Sequence, residues 1–374
     1  MDRKEMLKST LPPLAKFLPP PSIPPAKRGR ASFVPEPWNL YFTSQRKVTV
    51  GKNIFNVYEK GAEGPILLMV HGAGFSGLSW ALFTNAMTSL LICRCIAVDL
   101  RGHGDTITDN DEDLSAEILS TDLADVAQFY LSDSTAPSIV LIGHSLGGAV
   151  CVHAASRGLI PGLAGLVVID VVEGTALESL SMMESLVRGR PSTFPSVENA
   201  IEWSFRTGHI KNPESARVSM VGQLKPMMET SDDAKSQPDI RQTINTTETI
   251  MEDDSEQADS QVSSAAARPG TRLGWRIDLL KTQPFWQGWF TGLSEMFLSC
   301  PVPKLLILAG MDRLDKDLSI GQMQGKFQMV VLPKSGHAVQ EDQPVKVAET
   351  LASFMLRNKI VSSAGEFPPV FPGC

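Results

Sequence analysis

Short and almost wholly apolar runs recur along the chain, and they predict strands buried on both faces of a parallel β-sheet. The six runs lie at 66–70, 95–99, 138–142, 166–170, 305–308 and 329–332. Two short strands are predicted before them, at 47–50 and 53–58, with a turn at 51–52. Stretches with helical spacing of apolar residues lie between and after the six runs, at 78–91, 114–131, 147–157 and 345–357. This alternation predicts an α/β fold with a doubly wound, mostly parallel sheet.

The alternation breaks after residue 170, where roughly 130 residues precede the next apolar run, too many for one crossover. We predict a helical lid insertion over about 174–228, above the carboxyl ends of the strands. Residues about 229–268 are polar and lack apolar periodicity, so we expect a disordered loop. Residues 1–36 are rich in proline and predict a disordered arm, which leaves 37–374 as a single domain.

Composition narrows the class of protein. The 374 residues carry a net charge of -7, which argues against nucleic acid as the main partner, because phosphate binding needs a basic face. The five cysteines are odd in number and three lie in or beside apolar runs, which favours buried, reduced thiols in a reducing compartment. They include no C-x-x-C pair that would indicate a zinc or redox site. No apolar run has the length of a membrane span, so we expect no membrane partner and a cytoplasmic location. A basic cluster at 27–30 leaves a nuclear location open.

The first chemical signal is the sequence Gly-His-Ser-Leu-Gly around Ser145, directly after an apolar strand and before a helix. This context is typical of a nucleophile elbow, in which a tight turn exposes the serine hydroxyl. A serine hydroxyl needs a base within hydrogen-bond reach, and the base needs an orienting acid. The order along such chains is serine, acid, histidine.

His337 is the candidate base, because it follows the last predicted strand and precedes the last helix. Two residues are candidates for the acid. Asp170 ends the strand that follows the elbow strand, and Asp312 follows the next strand after that. Spacing alone does not choose between them.

An apolar strand followed by His-Gly-Ala-Gly at 71–74 is the second half of the predicted site. Such a loop supplies a backbone N–H to an oxyanion hole, here from Ala73 or Gly74, and Leu146 supplies the other. The turn Asp-Leu-Arg-Gly-His-Gly at 99–104 is interpreted as structural. The chain has no metal-ligand spacing and no nucleotide-binding loop, so we expect no metal and no cofactor.

With these residues in place, the chain resembles the protein phosphatase methylesterases, a family of α/β-hydrolases. The resemblance covers about 36–228 and 270–374 and includes long stretches such as EGPILLMVHGAG, VDLRGHGDT, LIGHSLGGAV, RGRPSTFPSVENAIEWS and SGHAVQED. It implies an α/β-hydrolase fold and a serine carboxylesterase without a cofactor. By position it implies Ser145 as nucleophile, His337 as base and Asp170, rather than Asp312, as acid.

The resemblance also implies a substrate, the methylated C-terminal leucine of the type 2A protein phosphatase catalytic subunit. We expect residues 188–203 and 213–228 to form a groove for the phosphatase tail, with Trp203 in its wall. Residues 224–229 loosely fit a short motif that phosphatase regulatory subunits bind, which extends the expected partners to the phosphatase holoenzymes. Two alternatives remain open: a small-molecule carboxylesterase, and a non-catalytic phosphatase-binding protein.

Overall fold

A computed structural model describes residues 32–132, 138–227, 272–310 and 314–361. Two sheets are present in these ranges. Their strands are β1 (Ser44–Val50), β2 (Asn53–Lys60), β3 (Ile66–Val70), β4 (Arg94–Val98), β5 (Ile139–His144), β6 (Leu163–Ile169), β7 (Thr193–Phe194), β8 (Leu224–Pro226), β9 (Leu273–Trp275), β10 (Lys304–Leu308) and β11 (Gln328–Val331).

The main sheet has eight strands in the order β1-β2-β4-β3-β5-β6-β10-β11. The last six of these are parallel, whereas β1 and β2 join the edge antiparallel. All eight strands were predicted from the sequence, and the α/β-hydrolase architecture is confirmed. The described helices are α1 (Ala81–Leu90), α2 (Ala116–Leu131), α3 (Leu146–Ser156), α4 (Glu173–Glu178), α5 (Leu180–Arg188), α6 (Val197–Thr207), α7 (Pro213–Gln223), α8 (Gln283–Phe290), α9 (Leu293–Ser299), α10 (Lys316–Met323), α11 (Val339–Asp342) and α12 (Pro344–Arg357).

Two hydrophobic cores cover the two faces of the main sheet. Alternate residues of β3 enter opposite cores, Leu68 with helices α2, α3, α8 and α9, and Leu67 with α1 and α12. Successive side chains of a strand point to opposite faces of the sheet, so a strand that is apolar at every position packs into both cores. The carboxyl ends of the parallel strands therefore lie at one edge, between two layers of helices.

Between β6 and β10 lies a region that we call the insertion, described over 173–227 and 272–299. It holds helices α4 to α9 and a small antiparallel sheet in the order β7-β9-β8. The predicted lid was helical only, so this sheet is an addition to that prediction. Its strands have two or three residues each, too few for a period to be visible in the sequence.

Residues 1–31 and 228–271 lie outside the described part, and with them nearly all of the predicted arm and polar loop. The end of the arm differs from the prediction. Phe33 packs against the core of the insertion, and Glu36 forms an ion pair with Arg217 of α7, 2.8 Å apart. Packed structure therefore begins before residue 37. Across the described ranges, the helices are all too short or too polar to cross a membrane.

Candidate active site

The nucleophile elbow forms where β5 ends at His144 and α3 begins at Leu146. Ser145 has a φ of 52°, in a region that side-chain-bearing residues rarely adopt. Its N–H donates to Ile169 O, 2.9 Å away. A Cβ on Gly143 would lie 2.2 Å from Gly147 O, so the turn closes only around glycine.

The structure brings Ser145, His337 and Asp170 together from distant parts of the chain. His337 Nε2 is 2.9 Å from Ser145 Oγ, and His337 Nδ1 is 2.8 Å from Asp170 Oδ2. Because an ionised carboxylate only accepts, Nδ1 carries the hydrogen and Nε2 is left to accept from the serine hydroxyl. The imidazole is half exposed whereas the Asp170 side chain is fully buried, so the site opens towards the serine and histidine.

Asp170 is held in place by backbone as well as by His337. It follows β6 with a φ of 52°, and its N–H donates to Ile307 O at 2.8 Å. Its Oδ1 accepts from the Ala309 N–H at 2.9 Å, so both carboxylate oxygens are bound. Asp312, the alternative acid, lies outside the described residues.

His144, the neighbour of the serine, ties the elbow to the loop that carries the base. Its Nε2 donates to the backbone oxygen of His337 at 2.9 Å. Burial and the nearby His337 ring lower the pKa of His144 to about 3, so it is a neutral donor near pH 7. The same loop is held on its other side by Asp342, which accepts from the N–H groups of Gly336 and Lys211. Sequence reasoning did not assign His144 a role, although its place inside the motif was visible.

The predicted oxyanion loop needs one correction. The Gly74 N–H donates to His103 Nε2 at 3.0 Å, so Gly74 is not a free donor, and the prediction for this residue is wrong. Within the described ranges the Ala73 and Leu146 N–H groups have no acceptor. Leu146 is the first residue of α3, where an amide lacks an intrahelical partner. These two amides stay as the candidate oxyanion donors.

The turn at 99–104 holds this loop, which fits its interpretation as structural. Asp99 is fully buried and accepts from Gly77 N–H, Asp105 N–H and Asn56 Nδ2 at 2.6, 2.9 and 2.7 Å. Burial raises the pKa of Asp99 to about 6. His103, on the same turn, is the residue that binds Gly74. The sequence could not show that two glycine-rich turns, about 30 residues apart, would be joined by a histidine side chain.

An ion pair also holds the turn at 99–104 in place. Arg101 binds Asp122 through two hydrogen bonds of 2.8 Å, and both side chains are almost fully buried. A bidentate pair of this kind fixes orientation as well as position. Within the described residues, no cluster of three His, Cys, Asp or Glu side chains is arranged to hold a metal ion.

Aromatic rings fill the insertion above the site. Trp203 lies 5.5 Å from the Trp275 ring centroid and 5.7 Å from that of His209, which in turn stacks on Phe75 at 5.2 Å. Phe75 directly follows the oxyanion loop and contacts His144 at 5.5 Å, so the cluster reaches the site. Trp203 therefore lies in the region expected to bind the substrate.

The leucine of the short motif at 224–229 is not accessible to a binding partner. Leu224 is only 5% exposed and belongs to β8, where it is paired with Trp275. A linear motif binds through an accessible leucine, so the prediction is wrong for Leu224 in this structure. Glu229 lies outside the described residues.

Comparison with known proteins gives consistent matches. A family model described as the alpha/beta hydrolase family matches residues 67–350. Proteins named protein phosphatase methylesterase 1 from Homo sapiens and Mus musculus are 52% and 51% identical, over 92% of this chain and 90% of theirs. A protein of Caenorhabditis elegans named probable protein phosphatase methylesterase 1 is 40% identical, over 94% of this chain and 86% of its own.

Solved structures support the fold. An E-2-(acetamidomethylene)succinate hydrolase has a TM-score of 0.61 at 20% identity, covering 83% of this chain and 98% of that chain. A thioesterase domain from the curacin biosynthetic pathway has a TM-score of 0.54 at 18% identity, covering 84% and 99%. At such identities the likeness concerns the fold alone.

Proposed function

Because the chain belongs to the protein phosphatase methylesterase family of α/β-hydrolases, we propose that it demethylates the C-terminal leucine methyl ester of the type 2A protein phosphatase catalytic subunit. The protein is a carboxylic ester hydrolase. The holoenzymes that contain this catalytic subunit are proposed as further partners. The observation that carries the proposal is the hydrogen-bonded series from Asp170 through His337 to Ser145, with distances of 2.8 and 2.9 Å.

In the proposed acylation step, Ser145 Oγ attacks the ester carbonyl carbon while its proton passes to His337 Nε2. Asp170 keeps the imidazole in the tautomer that can accept this proton and stabilises the imidazolium that forms. The negative charge on the carbonyl oxygen is bound by the Ala73 and Leu146 N–H groups. Each such donor contributes about 3–4 kcal/mol to the transition state in comparable sites.

Collapse of the tetrahedral intermediate breaks the bond to the methoxy oxygen, which leaves as methanol with the proton from His337. Water then attacks the acyl group on Ser145 and gives a proton to His337. This proton returns to Ser145 Oγ as the acyl–serine bond breaks. The leucine carboxylic acid that is released loses its remaining proton to solvent and becomes the carboxylate. His337 is base and acid in turn, and its half-exposed imidazole can contact both the leaving group and the attacking water.

Specificity must come from the acyl side of the ester, since methanol offers almost nothing to recognise. The insertion lies beside the elbow and brings an aromatic cluster close to the oxyanion loop. We propose that it forms the groove for the phosphatase tail. We also propose a reducing compartment, the cytosol or the nucleus, because the four cysteines of the described ranges are buried and unpaired.

The test is loss of the methyl ester from a methylated phosphatase catalytic subunit. We expect Ser145→Ala to lower kcat by about 10⁴- to 10⁶-fold, because the nucleophile acts as a unit with its base. Ser132→Ala, a change at an exposed serine after α2, is the matched control and should match the wild type. Demethylation that survives in Ser145→Ala would contradict the proposal.

Two further outcomes separate the alternatives. A wild-type protein that cleaves short acyl esters but leaves methylated phosphatase intact would be a small-molecule carboxylesterase. A protein that binds the phosphatase but takes no label from a fluorophosphonate would be a non-catalytic binder.

A further inference from the structure

Arg190 occupies an unusual position between the insertion and the oxyanion loop. It follows α5, and its guanidinium carbon lies 5.3 Å from the centroid of the Trp275 ring. A methyl group placed on Gly74 would be only 3.6 Å from Arg190 Nη1. The guanidinium therefore lies on Trp275 and borders the loop that carries the candidate oxyanion donor Ala73.

The position of the guanidinium is fixed by the surrounding chain. Trp275 Nε1 donates to Pro191 O at 2.7 Å, which ties the ring to the residue after Arg190. Pro191 is followed by β7, which pairs with the strand that contains Trp275. An arginine held over an indole keeps its N–H groups available for a planar, bidentate acceptor.

The charge of Arg190 is not balanced within the part of the chain that the structure describes. There its guanidinium has no ion pair and no hydrogen-bond acceptor, whereas the guanidinium of Arg188 binds Glu184 at 2.8 Å. Arg190 is partly buried, and this burial lowers its pKa, as expected for a cation that loses water contacts without gaining a counter-charge. The nearby His209 cannot balance this charge, because a histidine is either neutral or positive. Burial and the positive charge of Arg190 lower the pKa of His209 to about 3.

We propose that Arg190 is a specificity-determining residue that binds the carboxylate of an acidic side chain in the substrate, a few residues before the methylated C-terminus. The ester carbonyl must lie against Ala73, next to Gly74, and an extended peptide advances about 3.3–3.6 Å per residue. A side-chain carboxylate two to four positions from the C-terminus can therefore reach a guanidinium that borders Gly74. The inference rests on the proposed function, since it assumes a peptide ester at Ser145.

The same guanidinium chemistry could instead bind the carboxylate that the reaction itself creates. That carboxylate forms at Ser145, and its retention would slow product release. The two sources differ in one respect. An acidic side chain changes recognition of the ester, whereas the product carboxylate changes only inhibition by the free acid.

The experiment compares leucine methyl ester peptides that carry Asp or Asn at the second, third or fourth position from the C-terminus. For the wild type we expect kcat/KM to favour Asp over Asn roughly tenfold at one of these positions, chiefly through KM. Arg190→Gln should bring this ratio close to one, and Arg190→Lys should keep part of it. Arg357→Gln, the same charge change at an exposed arginine of α12 outside the insertion, should keep the full ratio.

Folding is monitored by the thermal transition of each variant, and turnover of a small activated ester gives the fraction of competent enzyme. Peptide affinity is also measured on the Ser145→Ala background with the free acids, which gives a readout that needs no turnover. The same Asp preference there, lost on adding Arg190→Gln, would support the inference even if ester cleavage failed and with it the proposed function.

Three results would overturn the inference. The first is a wild-type ratio near one at all three positions. The second is an equal loss on Asp and Asn peptides in Arg190→Gln. The third is an unchanged ratio in Arg190→Gln together with weaker inhibition by a peptide that has a free C-terminal carboxylate and no acidic side chain. This result would assign Arg190 to the product carboxylate.

Discussion

At the carboxyl edge of the main sheet, the buried carboxylates are bound by hydrogen bonds within the protein, whereas the described part of the insertion carries exposed apolar side chains and an unpaired cation. Asp170 binds His337 and a backbone amide, and Asp99 accepts three hydrogen bonds. In the insertion, Met182 and Leu186 of α5 are each 63% exposed, and Arg190 lacks a counter-charge within the described ranges. The carboxylates of the first region are therefore held before any substrate arrives, whereas these groups of the second region have no comparable contacts within the described ranges.

The difference follows from what each region has to do. Chemistry on an ester needs groups whose positions are set before the substrate arrives, and hydrogen bonds within the protein set them. Recognition of a protein needs apolar and charged groups that bind better to the partner than to water. The chain therefore binds its carboxylates within the protein at the edge of the main sheet, and leaves apolar and charged side chains of the described insertion without such contacts.

The sharpest test of the carboxyl edge of the main sheet is Asp170→Asn. An amide in place of the carboxylate favours the wrong tautomer of His337, so we expect kcat to fall by about 10³- to 10⁴-fold. The measurement is demethylation of the phosphatase together with the affinity for a leucine-terminated peptide, which should change little. Asp312→Asn is the matched control and should stay near the wild type. A loss in Asp312→Asn as large as that in Asp170→Asn would reverse the assignment of the acid.

A second test concerns the network below the oxyanion loop. Because the folded pKa of Asp99 is about 6 and an unfolded aspartate titrates near 3.9, its charge is favoured in the unfolded chain. Its contribution to stability is therefore full below about pH 4 and is lost as the pH rises to 6. We expect the free energy of unfolding of the wild type, relative to Asp99→Asn, to fall by about 3 kcal/mol over this interval.

Chemical denaturation at several pH values measures this difference. The comparison with Asp99→Asn removes the contributions of other buried carboxylates, such as Glu341, whose pKa is also raised by burial. Parallel pH curves for the two proteins would show that Asp99 titrates as it does in water.

The smallest expected effect lies in the insertion. Trp203 packs against Trp275, the ring that supports Arg190, so Trp203→Ala should disturb recognition more than chemistry. We expect kcat/KM on methylated phosphatase to fall about tenfold further than on a small activated ester. As the control, Phe129→Ala removes an aromatic ring that is 40% exposed on α2. It should leave kcat/KM unchanged on both substrates. Equal losses on both substrates in Trp203→Ala would erase the distinction between the two regions.

The centre of the main sheet could be predicted because its strands are apolar on both faces, which few other structures require. Ser145 and His337 could be predicted because the order of motifs along the chain reflects the order of strands. The acid could not be chosen by spacing, since Asp170 and Asp312 follow β6 and β10, which are neighbours in the sheet. The resemblance favoured Asp170, and this is the carboxylate found 2.8 Å from His337.

Other features depended on contacts that no local pattern encodes. The acceptor for the Gly74 N–H is His103, a residue of a different loop. The lack of a counter-charge at Arg190 among the described residues depends on which residues the fold places around it. The sequence near an arginine does not show whether a carboxylate lies close in space. The strands of the small sheet are held by pairing across the insertion rather than by their own pattern.

Ser145 and Asp170 share one feature, a backbone φ of 52° at residues that are not glycine. Such a conformation costs each position on the order of 1–3 kcal/mol, which the fold supplies from elsewhere. Glycine would relieve that cost at both positions while removing the side chains on which the proposed reaction depends. These two residues are therefore points where thermostability and turnover are in direct conflict, and engineering for a more robust protein should exclude them from its search.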